Sequence, residues 1–325
     1  MSTSLLLFAQ NADEALLKCA VPPSLWPGQV VPLIWDGATF AAAFPQELLH
    51  DAVEILPCFS LGDSGAWAYQ FTLQYTTQTG HQGHTALDPI GAFVQAESDN
   101  KEGAVEAAID ILQIREPLQM ANLHLSVQGI NPQAPALLAV SIRNKDAVPE
   151  ALSGGHSIAI DVPPRSQMAL RPEIASHVCS ATSVAMLLDY YGRSADIYDV
   201  IAEARHHPSR LHGVWPASIR AGSRRGLLGY LLHFPCWDSA RALLDEGLPI
   251  VASVRYEEGE LSDAAIPRTK GHLLVVRGYE GDKVLVNDPA AATDAEVARA
   301  YDLREFCRIW LKRTAVGYVL FALDD

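Results

Sequence analysis

The sequence predicts an α+β fold in two parts. Residues 1–148 hold short apolar runs separated by Gly, Asp, Asn and Pro, a pattern typical of an all-β, sandwich-like domain. Residues 158–325 begin with helical apolar spacing and end with strand-like runs, which indicates α+β architecture rather than alternating βαβ units. The intervening residues 149–157 contain Pro, Ser and two consecutive glycines, so we predict a linker there.

Length and composition agree with two folded domains. The chain has 325 residues, of which 49% are hydrophobic and 19% charged, and this ordinary globular composition excludes disorder as the main state. The formal net charge is −14, and residues 1–155 carry 5 Lys and Arg against 16 Asp and Glu. Because binding to a phosphate backbone needs clustered cations, we expect no nucleic-acid partner.

The sequence carries no signal for a membrane or for secretion. None of its apolar runs approaches the ~20 residues that span a bilayer. The first residues lack the cations of a signal peptide, and Asp13 and Glu14 follow soon after. The five cysteines are few and odd in number, which favours free thiols in a reducing compartment. We therefore expect a cytoplasmic protein without a membrane partner.

No motif for a cofactor or a metal stands out. Gly-rich phosphate-binding motifs are absent from the sequence. His81 and His84 could supply two metal ligands, but a polar hairpin loop is the preferred interpretation because no second ligand pair lies nearby. His206, His207 and His212 are interpreted as part of a solvated loop or of a substrate-binding rim. We expect neither a cofactor nor a metal.

The strands of the first half follow from the hydrophobic period. Residues 66–75 and 123–127 alternate apolar with small or polar residues, as in strands buried on one face. Residues 30–35 and 136–142 are continuous apolar runs and are also predicted to be strands. Residues 106–112 fit a short helix and a strand equally well.

The clearest helix of the second half is predicted over residues 178–191. Val184, Leu187, Leu188 and Tyr191 form an apolar stripe at helical spacing, and Gly192 is a common helix stop. Weaker helical patterns and then strand-like runs follow along the chain. The predicted helices are 195–204, 216–225, 237–246 and 301–311, and the predicted strands are 249–256, 271–279, 283–287 and 315–322.

Cys179 is the candidate nucleophile. It falls at the predicted start of the helix 178–191, where unpaired N–H groups and the helix dipole favour the reactive thiolate. The other four cysteines lie in apolar or mixed sequence and are interpreted as ordinary core or surface residues.

A thiolate nucleophile needs a base, and the base needs an orienting group. His272 opens an apolar strand, and Asp288 ends the next strand, with a hairpin turn near Gly281 between them. A two-residue loop with regular pairing would put Asp288 opposite Val275 and turn His272 to the other face. A three-residue loop or a bulge would put Asp288 opposite Leu274, two residues from His272 on the same face. Only this second register lets the imidazole and the carboxylate meet.

Gln167 completes the candidate site. It lies 12 residues before Cys179 in a Pro-containing segment. A side-chain amide from this segment, together with the N–H of Cys179, would form an oxyanion hole for a tetrahedral intermediate.

Several stretches resemble the motifs of the C39-like peptidase family, the papain-like group named for bacteriocin-processing peptidases. They are DVPPRSQ (161–167), CSATSVAMLLDYYG (179–192), GHLLVVRGY (271–279) and VLVNDPA (284–290). The order Gln, Cys, His, Asp is also that of the family. The resemblance spans roughly residues 158–322 and implies a papain-like fold. It implies the following roles for the site residues: Cys179 as nucleophile, His272 as general base, Asp288 as orienting residue and Gln167 as oxyanion donor.

The hypothesis from these residues is a cysteine peptidase or amide hydrolase that acts on a peptide or peptide-like amide. A thiol acyltransferase or transpeptidase could use the same site. A catalytically inactive binding module is a further alternative, and it predicts an unreactive, buried Cys179 and no contact between His272 and Asp288. The pair Gly154-Gly155 imitates a double-glycine cleavage site, but linker flexibility is preferred over self-processing. The substrate and the oligomeric state stay open.

Overall fold

Strands dominate the first half of the chain. The computed structural model describes residues 3–94, 103–144 and 157–323, so the predicted linker 149–157, with Gly154 and Gly155, lies outside the described residues except for its last position. Within the described part, the first half contains one short α-helix, α1 (Glu14–Cys19), and ten strands. The strands are β1 (Thr3–Gln10), β2 (Val31–Pro32), β3 (Thr39–Ala43), β4 (Ala52–Leu61), β5 (Ala68–Thr77), β6 (Gln82–Ala86), β7 (Val105–Ala108), β8 (Ile111–Ile114), β9 (Leu118–Gln128) and β10 (Ala136–Asn144).

These strands form two sheets with a shared apolar core. One sheet has the order β2-β1-β10-β4-β8-β7 and the other β3-β9-β5-β6, and the described pairs are antiparallel except β1 with β2. Buried residues from both sheets meet in one cluster, among them Phe59, Tyr69, Leu125 and Leu138. The predicted strands at 66–75, 123–127 and 136–142 are confirmed, whereas 30–35 yields only the short β2.

The undecided residues 106–112 lie in a β-hairpin. Strands β7 and β8 pair through a turn at Ile109 and Asp110. Ile109 has a φ of 60°. This left-handed backbone is unfavourable for a β-branched residue, so neither a helical nor a simple strand pattern describes this stretch.

The second half mixes helices and strands. Its helices are α2 (Pro172–Ala175), α3 (Cys179–Tyr190), α4 (Ile197–Ala204), α5 (Trp215–Ser223), α6 (Trp237–Asp245), α7 (Asp294–Val297) and α8 (Leu303–Ile309). Its strands are β11 (Ile158–Ala159), β12 (Leu227–His233), β13 (Ile250–Tyr256), β14 (Thr269–Glu280), β15 (Lys283–Asn287), β16 (Ala298–Asp302) and β17 (Val316–Ala322). The predicted helices and strands are confirmed with small shifts of their ends, except that residues 301–302 belong to β16 instead of a helix.

The strands of the second half form a sheet in the order β12-β17-β13-β14-β15-β16, with β11 beside β14. Helix α3 packs against α4, α5 and β14, and its residues from Ser180 to Leu188 are all buried. An enclosed helix of this kind needs small or apolar side chains on every face, which explains the residues Ala181, Val184 and Ala185.

The two halves share a large interface. Along β10, Leu137 and Ala139 face the core of the second half, while Leu138 and Val140 face the other sheet of the first half. This strand is therefore buried on both faces, and the double burial explains its continuous apolar sequence.

The interface also covers an edge strand. β12 ends the sheet of the second half, and an edge normally leaves N–H groups unpaired. Here the N–H of Gly229 donates to Ser60 Oγ and the N–H of His233 donates to Ser141 Oγ, each at 3.1 Å. The first-half sheet thus completes the hydrogen bonding of the second-half edge. That residues 1–148 form a separate all-β domain stays a prediction.

In the part of the chain that the structure describes, no helix combines the length and the apolar character needed to cross a membrane.

Candidate active site

Cys179 is the first residue of α3 and lies at the edge of a cavity. The preceding residue, Val178, supplies no side-chain cap to the helix, so the N–H groups and the dipole of the helix start are available to stabilise negative charge. Cys179 is partly exposed, whereas the nine residues that follow it are buried. The packed helix therefore fixes the position of Cys179 at the edge of the cavity.

A bulge in the β14–β15 hairpin sets the position of Asp288. Near the turn, Glu280 pairs with Lys283, the register of a two-residue loop. The register then shifts between Val276 and Gly278, so that Val275 pairs with Asn287. The predicted register with a bulge, in which Asp288 lies opposite Leu274, is therefore confirmed.

Only glycine fits at position 278 of this bulge, because the backbone of a neighbouring strand passes close to it. A Cβ atom on Gly278 would lie 2.0 Å from the carbonyl oxygen of Ile158 in the neighbouring β11. The glycine therefore lets β11 pack beside the bulge that turns the end of β15 toward His272.

His272 and Asp288 form a short, buried hydrogen bond. His272 Nε2 lies 2.7 Å from Asp288 Oδ1, and both residues are almost fully buried. The N–H of Ala290 donates to the same carboxylate oxygen at 3.0 Å, and the hydroxyl of Tyr301 donates to Oδ2 at 2.8 Å. The ring of His272 also lies close enough to Cys179 to lower the pKa of its thiol. Since Nε2 faces Asp288, Nδ1 is the ring nitrogen left for the thiol.

These contacts shift the pKa values of the three side chains. Burial raises the pKa of the Cys179 thiol, but the hydrogen bond and positive charge of His272 outweigh burial and hold this pKa below its ordinary value. Burial lowers the pKa of His272, but the charge and hydrogen bond of Asp288 reverse the effect and raise it to about 10. Burial raises the pKa of Asp288, yet His272, Ala290 and Tyr301 bring it below the ordinary value. These shifts favour the charged thiolate–imidazolium pair over the neutral thiol and imidazole.

The backbone of Gln167 is hydrogen-bonded to the loop that follows Asp288. Its N–H donates to the carbonyl of Pro289 at 2.8 Å, and the hydroxyl of Ser166 donates to the carbonyl of Ala291 at 2.5 Å. The Gln167 side chain is buried, and its Oε1 has no hydrogen-bond partner among the described residues. The residue does not belong to the lining of the cavity at Cys179. Its backbone is held near the other site residues, and its role as oxyanion donor stays a prediction.

The cavity at Cys179 has a volume of about 890 Å³ and is lined by both halves of the chain. The β7–β8 hairpin contributes Ile109 and Asp110, and the segment after α4 contributes His212. The position of His212 agrees with the interpretation of this segment as a substrate rim, whereas His206 is buried and its Nδ1 lies 2.7 Å from Ser209 Oγ.

Asp110, in the first half of the chain, forms a hydrogen bond with the second half at the wall of the cavity. Its Oδ2 accepts a hydrogen bond at 3.1 Å from the N–H of Trp215, the first residue of α5, whose own N-cap Val214 offers no side-chain acceptor. Burial raises the pKa of Asp110 to about 7. The carboxyl therefore caps a helix of the second half from a hairpin of the first.

A second ionic cluster lines the same cavity. His233 Nε2 lies 3.2 Å from Glu54 Oε2, and Arg143 lies 2.9 Å from the other carboxylate oxygen. Burial lowers the pKa of His233, and the positive charge of Arg143 lowers it further, against the attraction of Glu54. This histidine is therefore neutral at neutral pH.

The remaining candidates of the sequence lie apart from this cavity. All five cysteines are free, and burial raises the pKa of Cys58 and Cys307, so these two thiols are not activated. His84 lies on β6 beside a separate polar groove. Among residues 3–94, 103–144 and 157–323, no group of three or more His, Cys, Asp or Glu side chains is placed to hold a metal.

Sequence reasoning missed Tyr301. Its hydroxyl reaches Asp288 because β16 pairs with β15, but in sequence it stands 13 residues away, beyond a loop and α7. No spacing rule links a tyrosine at this distance to an aspartate, so no sequence signal could have found it.

Comparisons with known proteins give the following matches. The family model described as Peptidase_C39 like family matches residues 159–318, which confirms the resemblance inferred from the motifs. Among solved structures, a double glycine motif protease from an AMS/PCAT transporter, in complex with the leader peptide, is 17% identical with a TM-score of 0.34 and covers 51% of this chain and 98% of its own.

Two further structures match the chain. A putative C39-like peptidase from Bacillus anthracis is 14% identical with a TM-score of 0.41, covering 53% of this chain and 100% of its own. The peptidase domain of Streptococcus ComA, a bifunctional ABC transporter in quorum sensing, is 14% identical with a TM-score of 0.33, covering 45% and 93%. No curated protein matches the chain significantly.

Proposed function

We propose that this protein is a cysteine peptidase that hydrolyses an amide bond of a peptide or peptide-like substrate. The premise is the match of residues 159–318 to the model of the Peptidase_C39 like family. The observation that carries the proposal is the buried His272–Asp288 hydrogen bond beside Cys179, whose thiol pKa His272 lowers, at the start of a packed helix and at the edge of a cavity. We assign the domains as an accessory part (1–148), a linker (149–157) and a catalytic part (158–325).

In the proposed mechanism, the Cys179 thiolate attacks the substrate carbonyl carbon and pushes the electron pair onto the oxygen. The N–H of Cys179 and the amide of Gln167 would stabilise this oxyanion. The imidazolium of His272 then protonates the leaving amine, and a thioester with Cys179 remains. His272, now neutral, takes a proton from water, whose oxygen attacks the thioester and releases the acid. Asp288 holds the imidazole through Nε2 and stabilises its positive charge.

Site-resolved alkylation tests the thiolate. The full chain is treated with iodoacetamide at several pH values, and each of the five cysteines is quantified by mass spectrometry. We expect Cys179 to react with an apparent pKa well below the free value of ~8.5, and faster at neutral pH than the exposed Cys19. If Cys179 reacts no faster than Cys19, the thiolate and the proposed mechanism are wrong.

Turnover is tested with a library of synthetic peptides of mixed sequence, read by mass spectrometry. The wild-type chain should cleave a subset of peptides, and the Cys179→Ala variant should cleave none while keeping the wild-type melting temperature. Cleavage by the variant would contradict the assignment of the nucleophile. Added glycinamide separates the two thioester reactions, because an acyltransferase would join it to the acyl fragment in place of water.

A further inference from the structure

Four cations line the cavity at Cys179. Arg205, Arg210, Arg255 and Lys270 line it, all four are exposed, and within the described part of the chain none forms an ion pair. The whole chain, in contrast, has a formal net charge of −14. These four cations therefore make the charge around this cavity opposite in sign to the net charge of the chain.

The acidic residues of the cavity do not neutralise these cations. Glu54 is already paired with Arg143, at 2.9 Å. Asp110 is buried, and its raised pKa of about 7 leaves it partly protonated at neutral pH. Glu173 is the remaining acidic residue of the lining, which leaves an excess of positive charge.

The four cations form two walls. Lys270 precedes His272 by two residues on β14, and Arg255 follows Val254, the β13 residue that pairs with His272. Arg205 and Arg210 stand in the segment between α4 and α5, which forms another part of the lining. Both segments line the cavity that holds Cys179, so a chain lying there would meet positive charge from each of them.

Exposed apolar residues also line this cavity. Ile109 and Leu211 line the same cavity, although 42% and 50% of their surfaces are exposed. Ile109 has a φ of 60° and Arg210, next to Leu211, a φ of 61°. Strained, exposed tips that converge on a cavity from both halves are typical of a binding site. A peptide supplies apolar and charged groups together, whereas a nucleic acid would need a wider basic surface than this acidic chain offers.

We propose that this cavity selects an acidic peptide segment, whose Asp and Glu side chains pair with Arg205 and Arg210 on one wall and Arg255 and Lys270 on the other. The inference rests on the proposed peptidase function and names the substrate class of that site.

Binding is tested with fluorescein-labelled hexaglutamate and hexalysine, by fluorescence anisotropy on the full chain with Cys179→Ala. We expect hexaglutamate to bind more tightly than hexalysine and to dissociate as salt is added. Lys270→Glu and Arg210→Glu should each weaken hexaglutamate binding about two- to fivefold, the range of exposed ion pairs. Arg304→Glu is the matched control, because Arg304 is exposed at the start of α8 and lies outside the cavity lining.

Equal affinity for the two peptides, or an equal loss in the Arg304→Glu control, would overturn the inference. A second measurement separates it from the proposed function. Unlabelled hexaglutamate should slow the alkylation of Cys179 by iodoacetamide in the wild-type chain. Fast alkylation without protection contradicts the acidic-peptide inference and leaves the peptidase proposal standing. Slow alkylation of Cys179 without any peptide contradicts the peptidase proposal, even if hexaglutamate binds.

Discussion

Two buried histidines, each beside a carboxylate, differ in their charge. His272 lies 2.7 Å from Asp288 and has a pKa raised to about 10. His233 lies 3.2 Å from Glu54, and its pKa is lowered. Burial opposes the charged form of both imidazoles, so burial does not explain the difference.

The difference in pKa comes from the other groups that contact each carboxylate. Glu54 is also paired with Arg143, whose charge opposes protonation of His233. Asp288 receives uncharged donors from Ala290 and Tyr301, and the nearby Cys179 further favours the imidazolium of His272. A histidine–carboxylate pair is therefore no sign of acid–base chemistry by itself. A carboxylate that is not paired with another cation and a nucleophile beside the other ring nitrogen are needed as well.

The largest effect is expected from matched substitutions of the two histidines. His272→Gln removes the charge that holds the pKa of Cys179 down, so this pKa rises and the alkylation rate near pH ~6 falls, by about a hundredfold for a rise of about two units. His233→Gln should leave that rate within about twofold. The lowered pKa of His233 keeps its ring neutral, so the substitution removes no charge near the thiol. Site-resolved alkylation measures both variants, and similar losses would show that the two pairs do not differ in function.

A smaller loss is expected for Asp288→Asn. The amide keeps the shape but removes the charge that raises the pKa of His272, so the imidazolium becomes less stable in its buried position. We expect turnover of a cleaved peptide to fall about ten- to a hundredfold and its alkaline limit to move to lower pH. An unchanged alkaline limit would mean that Asp288 does not set the protonation of His272.

Tyr301→Phe should have a moderate effect on stability. It leaves the buried Oδ2 of Asp288 without its hydroxyl donor, which costs about 1–2 kcal/mol of the free energy of unfolding. Tyr256→Phe is the matched control, because its hydroxyl donates to the carbonyl of Ile266 at the longer distance of 3.2 Å. Denaturant unfolding compares the variants, and a smaller loss for Tyr301→Phe than for the control would contradict the role of this hydroxyl.

The smallest effect is expected for Arg143→Met, which frees Glu54 for His233. Without the opposing cation, the pKa of His233 should rise, as followed by NMR titration of the ring. In the wild type this pKa is lower in the folded than in the unfolded chain. The unfolded chain therefore binds more protons below pH ~6.5, and the folded state loses stability as the pH falls.

The variant should lose less stability over the same acidic window, which chemical unfolding at pH ~5 and ~7 measures. An unchanged titration of His233 would show that Arg143 does not distinguish the two pairs.

Much of the second half could be predicted from sequence because its patterns are local. The helix at Cys179 follows from apolar spacing ended by Gly192, and the hairpin follows from two apolar strands around Gly281. The bulge was one of two possible registers, since side-chain alternation alone does not tell where an extra residue enters a strand. The close approach of Ile158 to Gly278 is a long-range contact, and no local pattern records it.

The sequence by itself indicated candidate residues for the chemistry and the elements that carry them. Helix and strand periods are set by neighbours a few residues apart, so Cys179 could be placed at a helix start, His272 on a strand and Asp288 after the next strand. Only the tertiary structure decided how these groups are charged. Charge depends on burial and on atoms within a few ångströms, and those atoms come from distant segments: Tyr301 beside Asp288, and Glu54 and Arg143 beside His233. The cations around Cys179 likewise meet because four separate segments fold around one cavity.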